Sequence, residues 1–330
     1  MRVISGKHRG CVLYEFEGQA IRPTSDRAKE AVFNILQFKI ADSECLDLFC
    51  GSGSLGIEAI SRGARVTFVD NAKTSVELTK KNLAKVKELA DVFCEDALSF
   101  LSRTRKKFDI IFVDPPYADD VSVKAVEKII EKDLLNDDGV IVFERDRPCP
   151  NIKGAVIKDV RRYGKAVVSF IAKEKACLFA GSFDPITLGH LYVINKALEK
   201  YDRVYVTLMK NADKTSMFSD EERLKMLESA LSDPRVTVDS WDGLLIDYMK
   251  GNRLVYNVRG IRDEKDLKYE KGMEEYNVAN YPQIVYDYIY SDIPISSSIV
   301  RQSIKEGKDV SDYLSPEVLK YISKIQNNKT

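Results

Sequence analysis

The feature that most constrains this 330-residue chain is an alternation of strand-like and helix-like segments that runs to residue 173 and then starts again. Apolar runs at 44–49, 65–70, 109–114 and 139–144 alternate with helical periodicities at 26–38, 54–62 and 73–87. Strands that alternate with helices form βαβ units, and such units build a parallel sheet covered by helices. The run "AVVSFIA" (166–172) has no crossover helix after it, which predicts an antiparallel strand at the edge of that sheet. "ACLFAG" (176–181) opens a new series, completed by apolar runs at 203–209, 236–241, 254–260 and 284–290, so a second sheet of five strands is expected. One helix start in this series is well marked: Ser219 stands three residues before Glu222, as in a capping box, ahead of Leu224, Leu227 and Leu231. The length suits two cores, and the expected division is 1–173 and 175–330.

Composition narrows the function classes. With 44% hydrophobic and 31% charged residues and no long apolar run, the chain reads as folded globular material without a membrane span. "MRVISGKHRG" has no apolar core of a secretory signal, and a cytoplasmic location is expected. The six cysteines form no C-x-x-C pair and read as reduced thiols rather than as a disulfide framework or a metal site. Residues 1–173 carry 29 basic and 26 acidic side chains, with bunched positive charge at Lys7-His8-Arg9, "RTRKK" (103–107) and Lys158 to Lys165. Such bunching suits a polyanion, although each cluster taken alone also reads as a solvated surface.

Gly51-x-Gly53-x-x-Gly56 follows a strand and enters a helix, where bare Cα atoms and free N–H groups let a ligand approach the backbone. With Asp70 at the end of the next strand, this geometry serves the ribose of NAD as well as that of S-adenosylmethionine. "DPPY" (114–117), at the carboxyl end of another strand, separates the two. An exocyclic amino group has its lone pair delocalised into the ring, so its catalyst must accept the amino hydrogens and aim the nitrogen at the methyl. Asp114 and the Pro115 carbonyl can accept, Pro115 and Pro116 stiffen the turn, and Tyr117 can stack on the base.

Residues 1–173 resemble the bacterial small-subunit ribosomal RNA guanine-N2 methyltransferases. The resemblance rests on "ISGKHRG" (4–10), "RPTSDRAKEAVFNIL" (22–36), "LDLFCGSGSLGIEAISRGA" (46–64), "VDPPY" and "RRYG" (161–164). It implies a Rossmann-like domain that uses S-adenosylmethionine and methylates a guanine amino group in small-subunit rRNA or a ribosomal particle. Carried over by position, Asp47, Gly51, Gly53 and Asp70 would line the cofactor and Asp96 would approach its adenine amino group. Asp114, Pro115, Pro116 and Tyr117 would be catalytic, and the basic N-terminal segment would meet RNA. Cys50, where the family more often has alanine, and His8, where it often has an aromatic residue, depart from the pattern.

The second half opens on "GSFDPITLGH" (181–190), which leaves a strand and runs into a helix near Leu188. Its backbone and His190 face whatever binds above the strand end. A phosphate fits there, because histidine can donate to it and a helix N-terminus is partly positive. The block resembles phosphopantetheine adenylyltransferases, and the likeness continues through "KTSMFSDEER" (214–223), "NVRGIRDEKDLKYE" (257–270) and "ISSSIVR" (295–301). The resemblance implies a nucleotidyltransferase fold and transfer of AMP from ATP to 4′-phosphopantetheine, giving dephospho-coenzyme A and pyrophosphate, with Mg²⁺ assisting. His190 and Arg262 would hold ATP phosphates, and Lys214 and Arg259 would surround the incoming phosphate, with His190, Lys214 and Arg262 catalytic. Ser182, Phe183, Gly260, Glu270, Ser297 and Ser298 would complete the substrate-binding set. A homo-oligomer through this half is a further implication.

The expected whole is two Rossmann-like α/β domains in tandem, a methyltransferase fold followed by a nucleotidyltransferase fold, forming a bifunctional enzyme. The rival expectation is a first half that only binds RNA or acts as a scaffold, or that methylates another amino-group substrate. The intact glycine loop and "DPPY" count against a scaffold.

Overall fold

A computed structural model describes every residue except 17–25, 116–119, 211–215, 292, 294 and 329–330. The chain divides into two compact units, Met1–Glu174 and Lys175–Thr330. In the first, α1 (Asp26–Ile35) precedes β1 (Glu44–Leu48), α2 (Ser54–Ser61), β2 (Arg65–Asp70), α3 (Lys73–Val86), β3 (Asp91–Cys94), α4 (Ala97–Arg103), β4 (Phe108–Val113), α5 (Asp120–Glu131), β5 (Leu135–Arg145), β6 (Ala155–Tyr163) and β7 (Ala166–Lys173). Its seven-stranded sheet has the order β3-β2-β1-β4-β5-β7-β6. The first five positions are parallel, and β7 runs antiparallel to both β5 and β6.

This corrects the expectation for "AVVSFIA". The strand is antiparallel but lies inside the sheet, and β6 is the edge. Strand β6 carries Lys158, Asp159, Arg161 and Arg162, and its outer side is largely exposed. Edge strands are commonly charged, which blocks pairing with other chains and also blurs the apolar alternation by which a strand is recognised.

The central strands are buried on both faces, as the helix-covered parallel sheet requires. In β4, Ile110 and Phe112 join a cluster with Phe33, Ile57 and Phe68. Ile111 and Val113 join another with Leu46, Leu48, Phe100 and Ile129 on the opposite face.

The second unit comprises β8 (Ala176–Gly181), α6 (Leu188–Leu198), β9 (Arg203–Met209), α7 (Asp220–Ala230), β10 (Val236–Trp241), α8 (Leu245–Gly251), β11 (Tyr256–Ile261), α9 (Glu264–Asn280), β12 (Val285–Tyr290), α10 (Ser297–Lys305) and α11 (Pro316–Asn328). Its five strands are all parallel in the order β10-β9-β8-β11-β12. Cys177 and Phe179 of β8 face one core cluster, and Leu178 and Ala180 face the other. The capping box at Ser219 and Glu222 is present at the start of α7. No helix among the described residues is long and apolar enough to cross a membrane.

In both sheets the connections run outward in opposite directions from a central pair, β1 with β4 and β8 with β11. Open α/β sheets bind ligands above the carboxyl ends of strands at such a reversal.

Candidate active sites

The first site lies above β1, β2 and β4. Gly51 and Gly53 adopt left-handed conformations, φ 54° and 76°, and a Cβ on Gly53 would come within 2.9 Å of Thr79 Cγ2. Glycine is therefore required at 53 on two counts. Gly53 caps α2 without a side chain, and the buried Asp47 accepts the Gly56 N–H of its first turn at 2.9 Å. Asp70 holds the loop from the other side, its Oδ2 accepting from Gly51 N–H and its Oδ1 from Ala72 N–H, both at 2.9 Å.

Burial raises the Asp47 carboxyl to about 7, against the Gly56 hydrogen bond, and the negative charges of Asp114 and Asp70 push the same way. Asp47 thus feels two further carboxylates from the neighbouring strand ends, and the site favours a cation. Asp114 and Pro115 follow β4 directly, half-buried, while Pro116 and Tyr117 lie outside the described residues. Asp96 has an additional role: its Oδ1 caps α4, accepting Ser99 N–H at 2.9 Å.

Beside this loop, residues 1–14 fold back on themselves through Val3 N–H to Cys11 O and Leu13 N–H to Met1 O. Buried Glu58 on α2 accepts Ile4 N–H at 2.7 Å and Ser5 N–H at 3.0 Å, and the Lys29 ammonium donates to Arg2 O at 2.7 Å. His8 is half-buried, its Nε2 2.6 Å from Glu88 Oε1, to which Lys7 also pairs at 2.8 Å.

The second site lies above β8 and β11. The "GSFDP" turn is tied down through its carbonyls: Arg223 donates to Ser182 O at 2.7 Å, Arg301 to Asp184 O at 2.7 Å and Ser297 Oγ to Pro185 O at 2.8 Å. The Asp184 carboxylate accepts from Met217 N–H and Phe218 N–H, at 2.9 and 3.1 Å. The Ser182 side chain is exposed, Phe183 is buried, and Ser298 Oγ accepts from Arg301 at 3.1 Å.

Thr187 and His190 cap α6 reciprocally. His190 Nδ1 accepts the Thr187 N–H at 3.1 Å, so the proton of the neutral ring sits on Nε2. Burial, with the charges of Arg262 and then Arg259, lowers His190 to about 4. The unfolded chain binds the proton near the ordinary histidine value, so His190 removes stability as pH falls through the window from about 6.5 to 4. The same shift makes Nε2–H a neutral donor throughout the physiological range. A kcat/KM–pH profile, which reports the free enzyme, is therefore expected to show no acid limb near pH 6.5 from His190; a limb there that disappears in His190→Gln would contradict the assignment.

Arg259 and Arg262 reach this region from β11 and the residue after it, each engaged with a carboxylate of α9. Arg259 forms a bidentate pair with Glu270 at 2.6 and 2.8 Å and donates to Ala180 O at 2.6 Å. Arg262 forks onto Asp266 at 2.7 and 3.0 Å. Gly260 fits between them because a Cβ there would press within 2.8 Å of Val193 on α6. Arg262, Asp266, Tyr269, Ser291 and Ile299 line an open cleft of about 700 Å³. Lys214 lies outside the described residues.

The ties made by Arg223, Arg301 and Asp184, and the pairing of Glu270 with Arg259, lie beyond what the sequence motifs indicate. A signal for Arg223 existed: it shares the apolar stripe of α7 with Met226 and Leu227, at i+3 and i+4, where a solvated charge does not belong.

Two carboxyl-edge sites, one on a largely parallel sheet and one on a fully parallel sheet, define the class, a Rossmann-type methyltransferase unit followed by a nucleotidyltransferase unit. The family model described as Conserved hypothetical protein 95 matches residues 1–172, and the one described as Cytidylyltransferase-like matches 178–303. The first unit is 40% identical to ribosomal RNA small subunit methyltransferase D of Haemophilus influenzae, over 46% of this chain and 82% of that protein. The second is 36% identical to the phosphopantetheine adenylyltransferase of Petrotoga mobilis, over 42% of this chain and 87% of that protein. The Thermotoga neapolitana adenylyltransferase is also 36% identical, over 46% and 98%. The chain belongs to the family of the small-subunit ribosomal RNA methyltransferase D through its first unit, and to the phosphopantetheine adenylyltransferases through its second.

Proposed function

We propose that the chain is a bifunctional enzyme that methylates the N2 amino group of a guanine in small-subunit rRNA and adenylylates 4′-phosphopantetheine. The observation that carries this reading is that both strand edges bear a developed ligand-binding apparatus, an acidic glycine loop in one unit and a neutral histidine donor beside two arginines in the other.

In the first unit, S-adenosylmethionine supplies an electrophilic methyl group on a cationic sulfonium. The carboxylates of Asp47, Asp70 and Asp114 suit that charge, and Gly51, where a Cβ would meet only open space, leaves room beside the loop. Asp114 and the Pro115 carbonyl accept the hydrogens of the guanine amino group; as the nitrogen–methyl bond forms the methyl–sulfur bond breaks, S-adenosylhomocysteine leaves, and the proton given up by the nitrogen passes to the Asp114 carboxylate. Asp96 and Tyr117 serve the adenine and the target base.

A cation placed beside Asp47 must lower its raised pKa. Binding of S-adenosylmethionine near pH 7 is therefore expected to release protons. Calorimetry in buffers of different ionisation enthalpy measures this, and Asp47→Asn should abolish it. Proton uptake, or release unchanged in Asp47→Asn, would contradict the placement.

In the second unit, a phosphate oxygen of 4′-phosphopantetheine attacks the α-phosphorus of ATP and pyrophosphate leaves. His190 Nε2–H and Arg262 donate to the ATP phosphates, and Lys214 and Arg259 steady the incoming phosphate. Ser182, Phe183, Ser297 and Ser298 shape the turn and helix start that receive the triphosphate, Gly260 lets β11 pack close against α6, and Glu270 sets the Arg259 fork. Among the described residues no three His, Cys, Asp or Glu side chains form a cation site. A magnesium ion would accompany ATP and offset the charge of its phosphates. A cytoplasmic location is part of this proposal, since rRNA is one of its substrates.

Product analysis on the full chain tests the reading. Mass spectrometry should find N2-methylguanine in small-subunit RNA incubated with S-adenosylmethionine, and dephospho-coenzyme A with pyrophosphate when ATP and 4′-phosphopantetheine are supplied. A methyl group at another position, or ATP consumed without dephospho-coenzyme A, would refute the corresponding half.

A further inference from the structure

One buried side chain ties the N-terminal fold-back to the glycine loop. Asn82, on α3, closes a ring with the backbone of Tyr14: its Oδ1 accepts Tyr14 N–H at 2.7 Å and its Nδ2 donates to Tyr14 O at 3.1 Å. Nδ2 also donates to Ser52 O at 2.9 Å, between the two glycines of the loop. Thr79, one turn earlier and equally buried, donates to Gly51 O at 3.0 Å, so α3 grips two successive loop carbonyls.

A side-chain amide is planar, with its donors and acceptor in one rigid frame. A shift of the Ser52 carbonyl must therefore tilt or translate that frame and lengthen both bonds to Tyr14. Full burial of Asn82 leaves the bonds to be kept rather than exchanged for water. The tip of the fold-back is anchored elsewhere, on Glu58 and on Ser61 at the last residue of α2, which accepts Lys7 N–H and His8 N–H. Its outer surface presents Arg9 and the half-exposed Tyr14, with the Lys85 ammonium 4.1 Å from the Tyr14 ring centre. Cations beside an aromatic ring suit an RNA strand.

We propose that Asn82 couples the two ligand sites of the methyltransferase unit, so that cofactor in the glycine loop and RNA on the N-terminal fold-back strengthen each other's binding. The inference rests on the methyl-transfer reading above. Asn82 is a positioning residue, touching neither ligand and acting through the backbones of Ser52 and Tyr14. Thermodynamic linkage requires the effect to be equal in both directions.

The test measures the affinity of the full chain for S-adenosylhomocysteine with and without small ribosomal subunits that lack the methylation. The wild type should bind the cofactor product about tenfold more tightly when subunits are present, within the usual range of such couplings. In Asn82→Ala the ratio should fall to about one. Asn82→Asp, close in shape to the amide, keeps the acceptor for Tyr14 N–H but removes the Nδ2 donor to Ser52 O, and should lower the ratio likewise; it decides the question if thermal melting shows Asn82→Ala to be unfolded. A ratio of one in the wild type, or an undiminished ratio in a folded variant, overturns the inference. A wild type that binds neither S-adenosylhomocysteine nor subunits overturns the methyl-transfer reading instead.

Discussion

Replacing His190 by alanine is expected to lower kcat for AMP transfer by about 10²–10³, the usual cost of losing one preorganised donor to a charge-developing centre. The effect follows from how the ring is held. Nδ1 is committed to the N-terminus of α6, Phe183 packs against the ring with centroids 5.1 Å apart, and the lowered pKa keeps the ring neutral. Nε2–H is thus a donor fixed in direction, and little reorganisation is needed when charge redistributes around the α-phosphorus. The KM for ATP should change much less, because the interaction is stronger in the transition state than in bound ATP. The substitution also removes one half of a reciprocal cap, so a stability loss of about 0.5–2 kcal/mol should accompany it. A folded His190→Ala protein with unchanged kcat would make the histidine a helix cap and nothing more.

Asp114→Ala is expected to lower methyl transfer to RNA by about 10²-fold or more, the scale of a lost proton acceptor, while affinity for S-adenosylhomocysteine stays within a few-fold. Asp114 is one of the charges that raise Asp47, so removing it should also lower the Asp47 pKa and reduce the proton released on cofactor binding. This second readout separates a folded variant with an altered acidic site from one that has lost its structure. Normal methylation by Asp114→Ala would remove the residue from the chemistry.

Much of the architecture is legible in the sequence because buried parallel strands are nearly continuous apolar runs. "DIIFVD" and "ACLFAG" identify themselves in this way. Strand β6 does not, because an edge must carry charge on a face that a central strand would bury, and β3 is only four residues long. In the sites, local motifs could be read but their reciprocal partners could not. "TLGH" marks a helix start beside phosphate chemistry, yet nothing local tells that His190 Nδ1 turns back onto Thr187 and so fixes the donor at Nε2. Arg259 and Glu270 are 11 residues apart, on a strand and a helix, and their pairing appears only once β11 and α9 are packed. The arginine ties to Ser182 and Asp184 span 41 and 117 residues, and such long-range hydrogen bonds leave no periodic trace beyond a charge standing on an apolar stripe.

The most direct measurement assays both reactions side by side on the intact wild-type chain and on the full-length Asp114→Ala and His190→Ala proteins. The account predicts a crossed pattern, in which the wild type performs both reactions, Asp114→Ala keeps AMP transfer and loses methyl transfer, and His190→Ala does the reverse. A wild type lacking either activity, or a folded single variant that loses both, would contradict the claim that one chain carries two working active sites.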